Sequence, residues 1–353
     1  MRILLLKYRN IGDVVLSSAL ISNLKYHYPK SCIDFALNKE CEPILKNNHN
    51  VTNLIPYDRE RNSEMGFFKR LVSEIRTIRS LRQRKYDLAI NLTEGDRGTL
   101  YVFFSGAKMK VGFPSRNFFL SKINIYDLTA KDNLPLHTAE KDLQFVTLLD
   151  KDICNFKNEV FWSKADKFSL KAKIPNLGAK FAVVHPVSRW MFKCWDDKKM
   201  AQTIDFLQKE KGYQVYITGS NSHIEIQRIN KILNLCNVKP VNLSGKLSLN
   251  ELSYLINKAN FFFGIDSAPM HIAAACNKVV FAIFGASYPS KWGPWLSGSK
   301  NFQDIDGPQT NGRDFIFSNM NHDIFYENGT KRSRGMSLIT FDSIRKLINE
   351  NLE

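Results

Sequence analysis

The chain has 353 residues, 44% of them hydrophobic, enough for about two domains with ordinary cores. Its 50 Lys and Arg against 34 Asp and Glu leave a net charge of +16, which points to an acidic partner: nucleic acid, anionic lipid or a phosphorylated substrate. Six scattered cysteines without a C-x-x-C pair exclude a disulfide frame and a zinc site, and no window is apolar enough to cross a bilayer.

Cys32, Cys41, Cys154, Cys194, Cys236 and Cys276 read as reduced, mostly buried thiols of a cytoplasmic protein. The apolar run after Arg2 is cut by Lys7 and is too short for a signal peptide. The stretch from Phe261 to Ala286 comes nearest to a membrane span, but it carries Asp266, His271 and Lys278.

In chain order, Arg2 to Leu6 reads as a strand buried on both faces. Val14 to Tyr28 has helical spacing, with Val15, Leu16, Leu20, Ile21 and Leu24 recurring by three and four, and Pro29 ends it. "CIDFAL" and "NLIPYD" are further strands. The spacing predicts a helix from about Phe67 to Arg84, with Phe68, Leu71, Val72, Ile75 and Ile78 on one side and Lys69, Arg70, Arg76, Arg79 and Arg82 on the other. "YDLAINL" is another strand. A polar, lysine-rich seam with Pro175 and Gly178 spans about 150–178.

The pattern then restarts. Strands "FAVVHP", "QVYITGS", "PVNLSG", "FFFGID" and "KVVFAIFG" alternate with helices "DDKKMAQTIDFLQKEKG", "HIEIQRINKILNLC", "SLNELSYLINKA" and "APMHIAAAC". Ser248 and Glu251 have the spacing of a capping box. Strand–helix alternation on both sides of a seam implies two Rossmann-like α/β halves, each with a parallel sheet.

The turns after the strands carry the chemistry. In "KYRNIGD" the carboxylate of Asp13 stands where the first strand hands over to a helix; a nucleotide loop, a capped helix start and a catalytic edge all fit. "HPVSRWMFKCW" places Ser188, Arg189 and Lys193 after a strand, a hydroxyl and two cations suited to a diphosphate. Trp190 and Trp195 suggest that this loop folds over something. "ITGSNS" is a third ligand-competent turn. In "FFFGIDSAPMHIAAA" the strand ends at Asp266, Ser267 can cap a helix that Pro269 helps begin, and the free N–H groups there form an anion site. His271 lies one turn in, within reach of a phosphate or a sugar hydroxyl. Equally, Asp266 and Ser267 only cap the helix and His271 packs on the sheet. No G-x-G-x-x-G, Walker A, H-E-x-x-H or G-x-S-x-G sequence occurs, nothing resembles a metal-ligand cluster, and no nucleic-acid motif explains the charge.

"NIGDVVLSSALISNLKYHYP", "HPVSRWMFKCW" and "FFGIDSAPMHIAAACNKVVFAIFGAS…KWGPW", in this order, resemble the ADP-heptose:lipopolysaccharide heptosyltransferases, glycosyltransferases of family 9, and within them the heptosyltransferase III subgroup. The resemblance implies a GT-B fold: two Rossmann-like domains facing each other across a cleft, residues 1–165 binding the acceptor and 166–335 the donor, with a C-terminal helix in 336–353 packing back on the first domain. It implies an inverting, metal-independent transfer of heptose from ADP-L-glycero-D-manno-heptose to the inner core of lipopolysaccharide, with no cofactor. Asp13 falls on the family's base. Ser188, Arg189, Lys193, Thr218, Gly219, Asn221, Asp266, Ser267, Ala268 and His271 are the expected donor residues. Where some members carry a glutamate for the ribose, this chain reads Thr218-Gly219-Ser220-Asn221.

For the phosphorylated, Kdo-bearing acceptor, Lys7 matches a family lysine. Arg9, Asn10, Arg59, Arg61, Arg97 and Arg116 are the further candidates, the arginines on their charge. The expected protein is a cytoplasmic monomer, peripheral to the anionic inner membrane, that binds no nucleic acid. A heptosyltransferase acting on a protein is the alternative. A catalytically silent nucleotide-sugar-binding module is a third reading, against which intact Asp13, Lys193 and Asp266 speak.

Overall fold

The structure is a computed structural model that describes residues 1–115, 117, 119, 123–132, 135–295, 302–327 and 329–352. It comprises two compact units, Met1–Lys157 and Asn158–Glu353. The boundary expected at 165/166 therefore falls at 157/158. The physical reason lies in the segment just after it: the Phe161 carbonyl accepts from Asn250 Nδ2 at 3.0 Å and Trp162 contacts the Tyr254 ring, both deep in the second unit.

The first unit holds six parallel strands: β1 (Arg2–Lys7), β2 (Cys32–Asn38), β3 (Asn53–Tyr57), β4 (Leu88–Asn91), β5 (Met109–Gly112) and β6 (Leu128–Thr129). Their order is β3-β2-β1-β4-β5-β6, with Leu4 opposite Asp34 on one side and Ala89 on the other. Ile3 to Leu6 are fully buried, as an apolar run in a sheet covered on both faces must be. The helices are α1 (Ile11–Leu16), α2 (Ser18–His27), α3 (Glu42–Lys46), α4 (Arg59–Glu64), α5 (Phe67–Gln83), α6 (Asp96–Phe104) and α7 (Thr138–Leu148).

Two readings change here. The helix expected over Val14 to Tyr28 is broken at Ser17, whose hydroxyl bonds back to the Asp13 carbonyl at 3.0 Å and across to the Asp142 carboxylate at 2.6 Å. Such back-bonding competes with the helical ladder. In α5 the apolar side does not form a core face: Phe68, Leu71, Val72 and Ile75 are exposed, and the inner face is built from Ile78 and Leu81.

The second unit repeats the plan. Strands β7 (Phe181–His185), β8 (Gln214–Ile217), β9 (Val241–Asn242), β10 (Phe261–Ile265), β11 (Val279–Phe284), β12 (Gly307–Asn311) and β13 (Asp314–Ser318) lie in the order β12-β13-β11-β10-β7-β8-β9. All pairs are parallel except β12 with β13. A hairpin, β14 (Ile324–Glu327) and β15 (Thr330–Ser333), stands apart.

The helices are α8 (Lys164–Lys173), α9 (Asp197–Lys209), α10 (His223–Leu235), α11 (Leu249–Lys258), α12 (Ala268–Ala275), α13 (Pro289–Trp292), α14 (Arg334–Leu338) and α15 (Phe341–Asn351). The Ser248–Glu251 capping box forms as read, at 3.2 and 2.6 Å. The core gathers Trp195, Phe261, Phe263 and Phe281. The C-terminal helix α15 joins this core through Ile344, Leu347 and Ile348 and pairs with α9's end through Arg345 and Glu210 at 2.7 Å. It thus belongs to the second unit, whose core its apolar stripe completes. Of the six thiols, Cys41, Cys194 and Cys236 are buried, Cys32 and Cys276 are half-buried, and Cys154 is exposed.

Candidate functional site

In both sheets the direction in which successive strands are added turns back once, between β1 and β4 in the first and between β7 and β10 in the second. Crevices at the carboxyl ends of strands beside such a reversal are where open α/β sheets hold ligands. Each unit therefore offers one crevice, and the residues singled out in the sequence cluster on these two edges.

In the first unit, the backbone N–H of Tyr8 donates to Thr93 Oγ1 at 3.0 Å, and Arg9 reaches Glu94 at 3.5 Å, so the turns after β1 and β4 are tied together. The Arg9 carbonyl accepts from Asn38 Nδ2 at 2.8 Å, which fixes the turn from the side of β2. Asn10 is the N-cap of α1, and Asp13 is its third residue, with a carboxylate oxygen accepting the Asn10 backbone N–H at 3.1 Å. The capped helix start is thus real, with Asp13 in its first turn. One such bond leaves a carboxylate with acceptor capacity to spare. Burial raises the Asp13 pKa; the charges of Lys7 and Arg9 and the Asn10 N–H oppose the shift, and the Asp142 charge adds to it.

Lys7 departs from its expected role. It is buried, and its ammonium meets both oxygens of Asp142 at 2.7 and 2.9 Å. A lysine so committed does not present its charge to a polyanion; it sets the field around Asp13 instead. Arg97 lies over the Tyr57 ring, 4.0 Å from its centroid, and 3.9 Å from Glu74. Glu74 also accepts from Tyr57 and Tyr101, both of which meet Tyr8 edge-on. Arg97 is therefore anchored to the residue that follows β1. Arg59 and Arg61 are exposed on α4. Arg116 lies outside the described residues.

In the second unit, three strand ends converge on Asp266, just past β10. The single 3₁₀ turn Met191–Lys193 brings the Lys193 ammonium to 2.5 Å from an Asp266 oxygen, and Ser287, beyond β11, donates to the same oxygen at 2.5 Å. Ser188 is buried nearby in sequence, its hydroxyl accepting the Trp190 backbone N–H at 3.2 Å. Arg189 is exposed. Helix α12 opens at Ser267, Ala268 and Pro269. The Ser267 hydroxyl donates backward to the Ile265 carbonyl at 3.2 Å and makes no side-chain cap, contrary to expectation, so it does not occupy the helix's first N–H groups.

His271 is buried within α12, and its Nδ1 has no hydrogen-bond partner among the described residues. Burial pulls its pKa down to about 4, with Lys193 in the same direction and Asp266 against, so the imidazole is neutral near pH 7. Thr218 accepts or donates at 2.9 Å to Nδ1 of His185, the last residue of β7. At Gly219 a Cβ would stand 2.4 Å from Ile229 Cδ1 and 3.3 Å from Val187 Cγ2, so any side chain there would have to displace these core side chains. Asn221 is exposed. The aromatic loop does not fold over a ligand as a whole: Trp195 is a core side chain bonded to the Ile339 carbonyl at 3.1 Å, and Trp190 is exposed.

Five residues at or beside these crevices escaped the sequence reading: Glu74, Asp142, His185, Glu225 and Ser287. Glu225 is buried and accepts the Ser220 backbone N–H at 2.8 Å. His185 and Ser287 had a local signal, their places at the ends of the strands "FAVVHP" and "KVVFAIFG". Among the described residues no group of three or more His, Cys, Asp or Glu is disposed to hold a metal ion.

This architecture recurs in solved structures. A glycosyltransferase of family 9 from Veillonella parvula matches with a TM-score of 0.81 at 19% identity, over 99% of this chain and 97% of that one. The Escherichia coli ADP-heptose lipopolysaccharide heptosyltransferase II matches with a TM-score of 0.75 at 20% identity, over 100% and 98%. Two Rossmann-like units of this kind are those of the GT-B fold. At the level of sequence, residues 75–312 match the model of glycosyltransferase family 9 (heptosyltransferase). Lipopolysaccharide heptosyltransferase 3 of E. coli (strain K12) is 34% identical over 299 residues, covering 82% of this chain and 84% of that protein. The chain belongs to glycosyltransferase family 9, as its motifs led us to expect.

Proposed function

We propose that this enzyme moves a heptose from ADP-L-glycero-D-manno-heptose to the inner core of lipopolysaccharide, with inversion and without a metal ion. It acts as a cytoplasmic monomer at the inner-membrane surface. The observation that carries this reading is chemical. One switch-point crevice holds a carboxylate whose pKa burial has raised, and the other holds a cation beside a helix N-terminus. Similarity to the heptosyltransferase 3 of E. coli supports the choice of donor and acceptor.

Asp13 takes the proton of the acceptor hydroxyl as its oxygen attacks the anomeric carbon, a task helped by a pKa raised toward the working pH. The bond from that carbon to the diphosphate breaks, and ADP leaves with its electron pair. Lys193, held in place by Asp266, and the N-terminus of α12 stabilise the charge that grows there. Arg189 adds a second cation. These groups supply the positive charge that a divalent ion supplies elsewhere. Ser188, Thr218, Gly219, Asn221, Ser267, Ala268 and His271 complete the donor side, and Arg9, Asn10, Arg59, Arg61 and Arg97 face the acceptor's phosphates and Kdo carboxylates.

Incubation with ADP-heptose and heptose-deficient core lipopolysaccharide, followed by mass measurement of the product, tests the reading. A gain of one heptose per acceptor is expected. Release of ADP with no gain on the lipopolysaccharide would overturn the acceptor assignment.

A further inference from the structure

The first three turns of helix α5 carry an apolar arc that faces solvent. Phe67, Phe68, Leu71, Val72 and Ile75 are between 41% and 80% exposed. At about 100° per residue they fall within one arc of about 140° over the first three turns. Glu74 and Leu81 lie just beside this arc, and Ile78, on the same side one turn beyond it, is half-buried against the core. Core formation accounts for Ile78 and Leu81 toward the C-terminal end of the helix and not for the five residues before them. Five large apolar side chains together on one exposed helix face are more than the scattered exposure usual on a soluble surface.

The charge of the helix is as lopsided as its apolar surface. Its sequence, FFKRLVSEIRTIRSLRQ, contains Lys69, Arg70, Arg76, Arg79 and Arg82 against the single acid Glu74. Glu74 is not available to balance them, because Tyr57, Tyr101 and Arg97 engage it on the inner side. Arg79 and Arg82 are exposed and continue the outer arc toward the helix's C-terminal end, and Lys69 and Arg76 flank it. Beside the arc runs a groove of about 530 Å³ between α4 and α5, with Phe68 and Val72 on its apolar wall and Arg61, Lys69 and Arg76 around it. An apolar ridge flanked by these cations is complementary to an anionic lipid surface, where rings and aliphatic chains enter the acyl boundary and the cations meet headgroup phosphates. A protein partner would need acids around an apolar patch of matching shape; a bilayer supplies both without a specific fit.

We propose that α5 docks the enzyme on an anionic bilayer, with Phe67, Phe68, Leu71, Val72 and Ile75 inserted and Arg79 and Arg82 on the headgroups. The biological purpose rests on the reading above, in which the acceptor is lipid-anchored; the observable does not. Docking brings the first unit to the plane in which such an acceptor lies.

The test is sedimentation of the whole protein with vesicles of phosphatidylcholine alone and of phosphatidylcholine mixed with phosphatidylglycerol. Wild-type protein should prefer the anionic vesicles. Phe67→Ser with Leu71→Gln should lower that binding at least tenfold, and Arg79→Gln with Arg82→Gln should lower it by about fivefold per cation at low salt. All four residues are exposed or largely so, and circular dichroism and melting should be unchanged. Transfer to a core oligosaccharide freed of its lipid is measured alongside and should be unaffected by the variants. Vesicle binding reads the surface and soluble-acceptor transfer reads the activity. Binding through α5 therefore supports the proposal even if transfer fails, in which case only the functional reading falls. Wild-type protein indifferent to phosphatidylglycerol, or variants that bind as well as wild type, would overturn the proposal. So would a dimer in sedimentation velocity that Phe67→Ser with Leu71→Gln dissociates, since the arc would then be an interface between two copies of the chain.

Discussion

Asp13 is held by two influences that oppose each other: burial disfavours its charge, while Lys7, Arg9 and the Asn10 N–H favour it. Asp13→Asn keeps an oxygen for the Asn10 N–H and removes the buried charge. The variant should melt no lower than wild type, yet transfer heptose about a hundred- to ten-thousand-fold more slowly, as for loss of a general base. Normal turnover by a folded variant would leave Asp13 with capping alone. Asp314, the first residue of β13, has burial without such compensation: neither of its oxygens has a partner among the described residues, and its pKa is raised to about 8. The folded chain then keeps a proton that the unfolded chain gives up above about pH 4. The stability this confers is complete below the unfolded pKa and is lost as pH rises to about 8, by about 1.4 kcal/mol per pH unit. Asp314→Asn removes that slope, so urea midpoints of variant and wild type should diverge steadily from pH 5 to 8, the variant higher. Parallel midpoints would contradict the assignment. The sequence showed a carboxylate at a strand-to-helix handover and a lysine after a strand. It could not show that Lys193 meets Asp266, since the two lie 73 positions apart and neither has a local signal for the other.

Elements were legible where period and punctuation agreed. β1, β7, β10 and β11 are short apolar runs, and α11 begins at the capping box its sequence announces. α5 was legible as a helix, but not which side is inside, because periodicity reports that an apolar side exists and not what covers it. The break between α1 and α2 was hidden for another reason. It depends on Ser17 meeting Asp142, on a helix 125 residues away. That junction ties α7 to β1 and α2 through the buried pair of Lys7 and Asp142. Removing one partner of such a pair strands the other charge, at a cost of about 3–5 kcal/mol, whereas replacing both with apolar residues is often neutral. Asp142→Asn should therefore destabilise the first unit strongly, and Lys7→Met with Asp142→Leu should recover most of the loss. Both are read from chemical unfolding. A double variant as unstable as the single would mean that the pair contributes through geometry rather than charge.

At the scale of the whole molecule, one strand order is used twice, and each unit carries a different half of the proposed chemistry. That duplication was visible as a restart of the strand–helix rhythm, although the halves share no alignable repeat. The position of the restart was not visible, because 158–178 reads as a polar seam until Asn250 and Tyr254 are seen to engage it. The charge is divided by role as well. Lys193 is largely buried and already ordered by Asp266, whereas Arg59 and Arg61 are exposed. Exposed charges are screened over about 10 Å at 0.1 M salt, and buried ones much less. Raising salt should therefore raise the KM for the polyanionic acceptor more than the KM for ADP-heptose. On the proposed reading, protein cations and a helix N-terminus provide the countercharge for the leaving diphosphate, so activity should persist in EDTA. Loss of activity in EDTA with recovery on adding magnesium would place a metal ion in the donor site. An acceptor KM indifferent to salt would mean that the exposed arginines of the first unit face something other than the acceptor.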